Sequence, residues 1–307
     1  MKLKHAGFRE GVLWVRSGFR VFFRYPLAFT GLFMMFMFGE LLLLVLPWLG
    51  PVLFLASLPL VSAGFVLATE RALRGRAPLP DVFFEPLRTG RARRVEFAKL
   101  GVLYTLAVVL VVALISAIDG DRLERWQQAV WEEAQQGTPQ GAPASAPDAQ
   151  PATPDTPADQ SPAASRPRSA DRALIEDPQL QFSLLLRLAL IVPLSLVFWH
   201  APALIHWGGV PVTKSLFFSA VACWRNLGAF IGFGLAWSVV VLTFGAVTTM
   251  LFVFIGQPQL VPLAVMPAAL MFSTVFYASL YFTFVDSFSP PSDMGEESRD
   301  EPASPPT

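Results

Sequence analysis

A single cysteine, Cys223, in 307 residues removes two classes of explanation at once. No intramolecular disulfide can form, and no cysteine-based metal site can form within one chain. Charge is scarce as well. Asp, Glu, Lys and Arg make up 15% of the residues, too few to cover a soluble surface. The formal net charge is zero, so no overall field favours nucleic acid. Catalytic signatures are missing too. There is no Gly-Lys-Ser/Thr phosphate loop, no His-Glu-x-x-His, no Gly-x-Ser-x-Gly and no pair of carboxylates in a polar setting. His200 and His206 flank Pro202 at a spacing that does not place two ligands on one helix face. They read as interfacial polar residues beside Trp199 and Trp207, and no metal or cofactor is implied.

What is present is apolar length. Hydrophobic residues make up 53% of the chain, with 27 Phe. Several uninterrupted runs reach about 20 residues, enough to cross roughly 30 Å of hydrocarbon. Six spans are predicted, at 27–47, 49–69, 98–118, 182–205, 228–255 and 260–284. Lys2, Lys4, Arg9, Arg16, Arg20 and Arg24 interrupt the first 24 residues, and no small-residue cleavage site follows the first run cleanly. The N-terminal region therefore reads as a retained anchor, not a cleaved signal.

Charge sets the orientation. The 1–26 segment, the basic 70–97 loop and the 206–227 loop carry most of the Lys and Arg. The turns within 27–69 and 228–285 carry none. By the positive-inside rule both termini are cytoplasmic. The long 119–181 loop then lies outside, in the periplasm of a bacterium; its 137–170 stretch is Pro-, Ala-, Ser- and Gln-rich and reads as disordered. The 286–307 tail reads the same way. Within residues 8–23, Phe8, Val12, Val15, Phe19 and Phe22 recur at helical spacing opposite Arg9, Arg16 and Arg20. That pattern predicts an amphipathic helix lying in the cytoplasmic headgroup region. The other reading is an ordinary helix packed on the bundle. Val82-Phe83-Phe84 and Leu87 are a second segment suited to the interface.

A small pattern occurs three times: Arg, then Ala four residues on, then Gly three further. It reads Arg24-Ala28-Gly31, Arg94-Ala98-Gly101 and Arg225-Ala229-Gly232. Each copy opens an odd-numbered span. The three positions share one helix face, so each Arg is expected among headgroups and each Ala/Gly pair against a neighbouring helix. A random Arg would match about one time in a hundred from typical Ala and Gly usage. The fold class is therefore an all-α membrane protein of six transmembrane helices in three hairpins, with cytoplasmic interfacial helices. The repeated unit is read as a threefold parallel repeat, or as a coincidence if the small residues face lipid.

Two ionisable residues fall inside spans. Glu40 lies about 20 Å from the inner end of its span and Arg187 about 8 Å from the outer end of its own, at 1.5 Å per residue. Both sit in the outer half of the membrane, where they could pair. Against this, Arg187 can snorkel to the outer headgroups, and Glu40 can be a protonated or helix-bonded side chain.

Gly11-Val-Leu-Trp14, Gly18, Phe22 and Pro26 ahead of the first span, with Phe198-Trp-His-Ala-Pro-Ala-Leu204 and Lys214-Ser215, give a resemblance. The chain resembles an uncharacterised family of multi-pass inner-membrane proteins of beta-proteobacteria and relatives, over residues 8–135 and 180–285. The resemblance implies location and topology and brings no catalytic residues. The reading is a non-enzymatic component that binds membrane lipid, anionic above all, or a protein partner through the periplasmic loop, and no nucleic acid. The Arg88–Arg94 cluster suits anionic lipid. The alternative is a small-solute transporter or channel using Glu40 and Arg187; an intramembrane enzyme ranks third.

Overall fold

The computed structural model describes residues 2–120, 127–128 and 178–289. The 137–170 stretch and most of the 286–307 tail fall outside them. Two compact units result, one from residues up to Val108 together with those from Leu194 onward, the other from Val109 to Pro193.

Helix α1 covers Phe8–Arg24, α2 Pro26–Leu44 and α3 Leu49–Leu73. A 3₁₀ turn at Pro80–Phe83 and the short α4, Glu85–Arg88, lead into α5, Arg91–Asp119. From residue 178 onward come α6, Pro178–Trp199; α7, Ala201–Gly208; α8, Val212–Arg225; α9, Leu227–Phe254; and α10, Val261–Ser287. Six stretches are long and apolar enough to span a membrane: Pro26–Leu44, Leu49–Leu73, Arg91–Ile118, Pro178–Gly208, Leu227–Phe254 and Pro258–Ser287. They fall on the six runs predicted from sequence. The fold is an all-α membrane protein with six candidate spanning helices.

Local chemistry explains the helix ends. Gly7 N–H donates to the Glu10 carboxylate at 2.9 Å, which satisfies one open amide before α1. Pro26 stands in the first turn of α2, where its missing N–H costs nothing. The chain breaks at His200, between α6 and α7, because Pro202 cannot donate to the carbonyl four residues back and crowds it. Gly256, at φ 76°, turns the chain between α9 and α10, a backbone region that only glycine enters freely.

In the larger unit the core is aromatic. Phe29, Leu32, Phe33 and Phe36 of α2 meet Phe65 of α3 and Val275 and Ala278 of α10. Phe65 stacks on Tyr277 with centroids 4.8 Å apart. The segment after α3 folds back on it. Gly64 leaves room for the Phe83 ring, which a β-carbon there would strike at 2.2 Å. Val82 and Phe83 are buried and Phe84 is exposed, so this segment packs into the bundle by its first two side chains. Arg71 fixes it there, reaching Asp81 at 2.7 Å and Glu85 at 2.5 Å. That guanidinium holds the Asp81 carboxyl below the ordinary carboxylate range. The smaller unit contains the C-terminal part of α5 and the N-terminal turns of α6, with Ile115, Leu180 and Ser183 buried.

Candidate functional site: the terminal face and a buried carboxyl

The first and last described residues of the larger unit, 2–4 and 287–289, meet. Leu3 pairs with Phe288 in an isolated antiparallel bridge. Lys4 N–H donates to the Ser287 carbonyl at 2.9 Å, and Ser289 N–H donates to the Lys2 carbonyl at 2.8 Å. Asn226, fully buried, closes this clasp. Its amide oxygen accepts from Ala6 N–H at 2.9 Å, and its amide nitrogen donates to Ser287 Oγ at 3.1 Å and the Lys4 carbonyl at 3.4 Å.

Helix α1 starts at this clasp and runs along α9 and α10. Its glycines set the distance. A β-carbon on Gly11 would lie 1.9 Å from the Ala229 carbonyl oxygen, and one on Gly18 would lie 2.9 Å from that of Val275. From the other side, a β-carbon on Gly232 would lie 2.4 Å from the Phe8 carbonyl oxygen. Trp14 is 1% exposed, sits edge-on to Phe230 and Phe233, and donates its indole N–H to Asp286 at 2.7 Å. Val15, Val21 and Phe22 are buried on the same side. Each such side chain contributes on the order of 2 kcal/mol relative to exposure to water.

The headgroup expectation for α1 therefore changes. Of the apolar face expected to meet lipid, Val15 and Phe22 are buried in the bundle beside Gly11, Trp14 and Gly18, while Phe8 and Val12 stay exposed. Close backbone approach through Gly11 and Gly18 buries Trp14 more fully than an interface would. Asp286, at the end of α10, is the partner of that indole. The opposite side of α1 is open. Arg9, Arg16, Arg20 and Arg24 are exposed, and none makes an ion pair among the described residues. At about 100° per residue Arg9, Arg16 and Arg20 form one stripe, opposite Gly11, Trp14 and Gly18.

The three Arg-Ala-Gly copies part company. Ala229 and Gly232 are buried against α1, and Gly101 is buried against Ala56 of α3, whose carbonyl oxygen a β-carbon would meet at 2.4 Å. Gly31 and Ala98 are exposed, and Ala28 is partly buried. The small residues thus pack fully in one copy, halfway in the second and least in the first, and on different partners. Helix packing supplies no common surface for a threefold repeat. Arg24, Arg94 and Arg225 are all exposed; the Arg24 guanidinium lies 5.7 Å from the Tyr25 ring centroid.

Glu40 is 4% exposed. Its Oε1 shares a hydrogen bond with Ser57 Oγ at 2.5 Å, across the α2–α3 hairpin. Its Oε2 is buried without a hydrogen-bond partner, and no ion pair to Glu40 occurs among the described residues. Arg187 lies on α6 in the smaller unit. Sequence reasoning found Glu40 but not Ser57, because a serine 17 residues on is unremarkable until the hairpin brings it opposite.

The two histidines that flank Pro202 are core residues. His200 is buried among Phe230, Phe284 and Phe288, and its backbone N–H donates to Ser219 Oγ at 2.9 Å. His206 is buried beside Trp207. No cluster of metal-ligating side chains occurs among the described residues. Burial pushes the Cys223 thiol up to about 12, so it is an inert core group.

The chain is 29% identical, over 289 residues, to a probable inner membrane protein of Burkholderia thailandensis, with 94% of each chain covered. It is an integral inner-membrane protein. The six spans and the relative's description agree on that, and the relative comes from the bacterial group to which the sequence resemblance pointed. No family model matches the chain, and no solved structure matches it. In this inner-membrane protein the residues quoted for the resemblance have structural work: Gly11, Trp14 and Gly18 dock α1, and His200 to Leu204 cross the break between α6 and α7.

Proposed function

We propose that this inner-membrane protein is a non-enzymatic membrane component whose helix α1 binds anionic phospholipid on the cytoplasmic side. The observation that carries the reading is the exposed stripe of Arg9, Arg16 and Arg20, which has no carboxylate partner among the described residues. An unpaired basic row beside the ends of spanning helices suits lipid phosphate. Exposed Phe8, Val12 and Leu13 adjoin it. Phe8, Val12, Arg16, Leu235 and Val239 also line an open groove between α1 and α9, suited to an acyl chain. The cytoplasmic assignment rests on the Lys and Arg distribution, and the pairing of Leu3 with Phe288 fits an even number of crossings.

The test uses the full chain purified in mild detergent. Each basic residue near an anionic surface is worth about 1 kcal/mol. The combined Arg9→Gln, Arg16→Gln, Arg20→Gln variant is expected to weaken retention of anionic phospholipid on the order of a hundredfold, read by mass spectrometry of copurified lipid. The fold should persist, since none of the three side chains is buried. Unchanged retention in a folded variant would sink the proposal.

A further inference from the structure

We infer that Glu40 and Ser57 form a proton-binding site within the membrane, with Glu40 held as the neutral acid and donating its proton to Ser57. The argument is an accounting of protons. Ser57 Oγ lies 2.5 Å from Glu40 Oε1 and 2.7 Å from the Phe54 carbonyl oxygen. A serine hydroxyl carries one hydrogen, an ionised carboxylate carries none, and a carbonyl only accepts. With Glu40 ionised, one hydrogen must serve two acceptors, and one of these short contacts becomes an unrelieved approach of two oxygens. With Glu40 protonated both contacts are hydrogen bonds: the acid O–H donates to Ser57 Oγ, and the Ser57 O–H donates to the Phe54 carbonyl.

The surroundings agree. The carboxyl is buried on α2, and its second oxygen has no partner. A neutral carbonyl-like oxygen tolerates that position far better than half of a carboxylate does, because burying an unpaired charge costs much more than burying an unpaired dipole. No Lys, Arg or His forms an ion pair with Glu40 among the described residues. A hard metal cation would need six or more oxygens. Glu40, Ser57 and the Phe54 carbonyl present too few, so the cation this site suits is the proton. The inference is independent of lipid binding at α1, and each can fail without the other.

Infrared spectroscopy of the full-length protein in lipid at neutral pH tests it. The spectrum of the wild type minus that of Glu40→Gln should show one protonated-carboxyl C=O stretch lost in the variant. Gln has the same shape and keeps an N–H donor toward Ser57, so the fold is expected to survive. In Ser57→Ala the same stretch should persist but shift, because its donor bond is gone. Loss of ionised-carboxylate stretches in Glu40→Gln, in place of the acid stretch, would overturn the assignment. An unshifted acid stretch in Ser57→Ala would overturn the role given to Ser57. If Glu40→Gln fails to fold, the Ser57→Ala spectrum against wild type still decides.

Discussion

Gly11→Leu is expected to leave little folded protein in the membrane. The first atom added to Gly11 would stand 1.9 Å from the Ala229 carbonyl oxygen and 2.8 Å from Phe233 N. Both are backbone atoms of α9, so no rotamer change relieves the overlap. Helix α1 must move away, and the movement unpacks Trp14, Val15 and Phe22. It also separates the Trp14 indole from Asp286. Overpacking costs about 3 kcal/mol at the upper end of its usual range, and here the secondary loss of packing adds to it. Gly31→Leu is the control, because nothing lies within 4 Å of a β-carbon there. The readout is the thermal midpoint and the monodisperse fraction in detergent. If Gly11→Leu matches Gly31→Leu in both, the close contact between α1 and α9 is wrong.

Asn226→Ala should release the N-terminal strap while leaving the spanning helices intact. The amide of Asn226 serves Ala6, Lys4 and Ser287 together. Truncation removes the acceptor of the buried Ala6 N–H, at about 1–3 kcal/mol for the unsatisfied group. The small cavity adds to this loss. Amide hydrogen exchange at residues 3–8 should speed up by more than an order of magnitude, since 1.4 kcal/mol is tenfold. Exchange along α3, which contributes nothing to the Asn226 hydrogen bonds, should stay as it was. Equal protection of residues 3–8 in variant and wild type would refute the clasp.

Span positions were legible in the sequence because apolar length and the scarcity of charge depend on composition alone. The predicted 49–69 and 228–255 differ from Leu49–Leu73 and Leu227–Phe254 by four residues or fewer at either end. The partner of α1 was not legible. An amphipathic pattern says that one face is covered and does not say by what. Bilayer and bundle satisfy Val15 and Phe22 equally well on paper. The discriminating signal was Gly11 and Gly18, seven residues apart on the covered face: lipid needs no missing side chain, whereas a neighbouring backbone does. For Glu40 the reverse holds. Its burial could be read from its place in an apolar run, but Ser57 becomes its partner only through the hairpin. The Arg-Ala-Gly copies show the limit of spacing as evidence. Spacing fixes which residues share a face; the neighbour that faces them is a tertiary fact, and it differs among the three.

The clasp between Leu3 and Phe288 also orders events in time. Trp14 and Asp286 are 272 residues apart, and a ribosome adds about 5–20 residues per second. The first helix therefore waits roughly ten to fifty seconds for the surface that will cover it. During that interval its apolar face has only the bilayer to meet, and its arginines only the headgroups. Insertion of its Trp14 face into lipid is thus expected as a passing stage of biogenesis, given up once the final span arrives, while the arginine stripe stays at the headgroups. A photocrosslinker at Trp14 in ribosome-bound chains ending near residue 200 should capture lipid, and in the completed chain should capture α9 or α10. Capture of lipid in the completed chain as well would mean that the helix never leaves its waiting position.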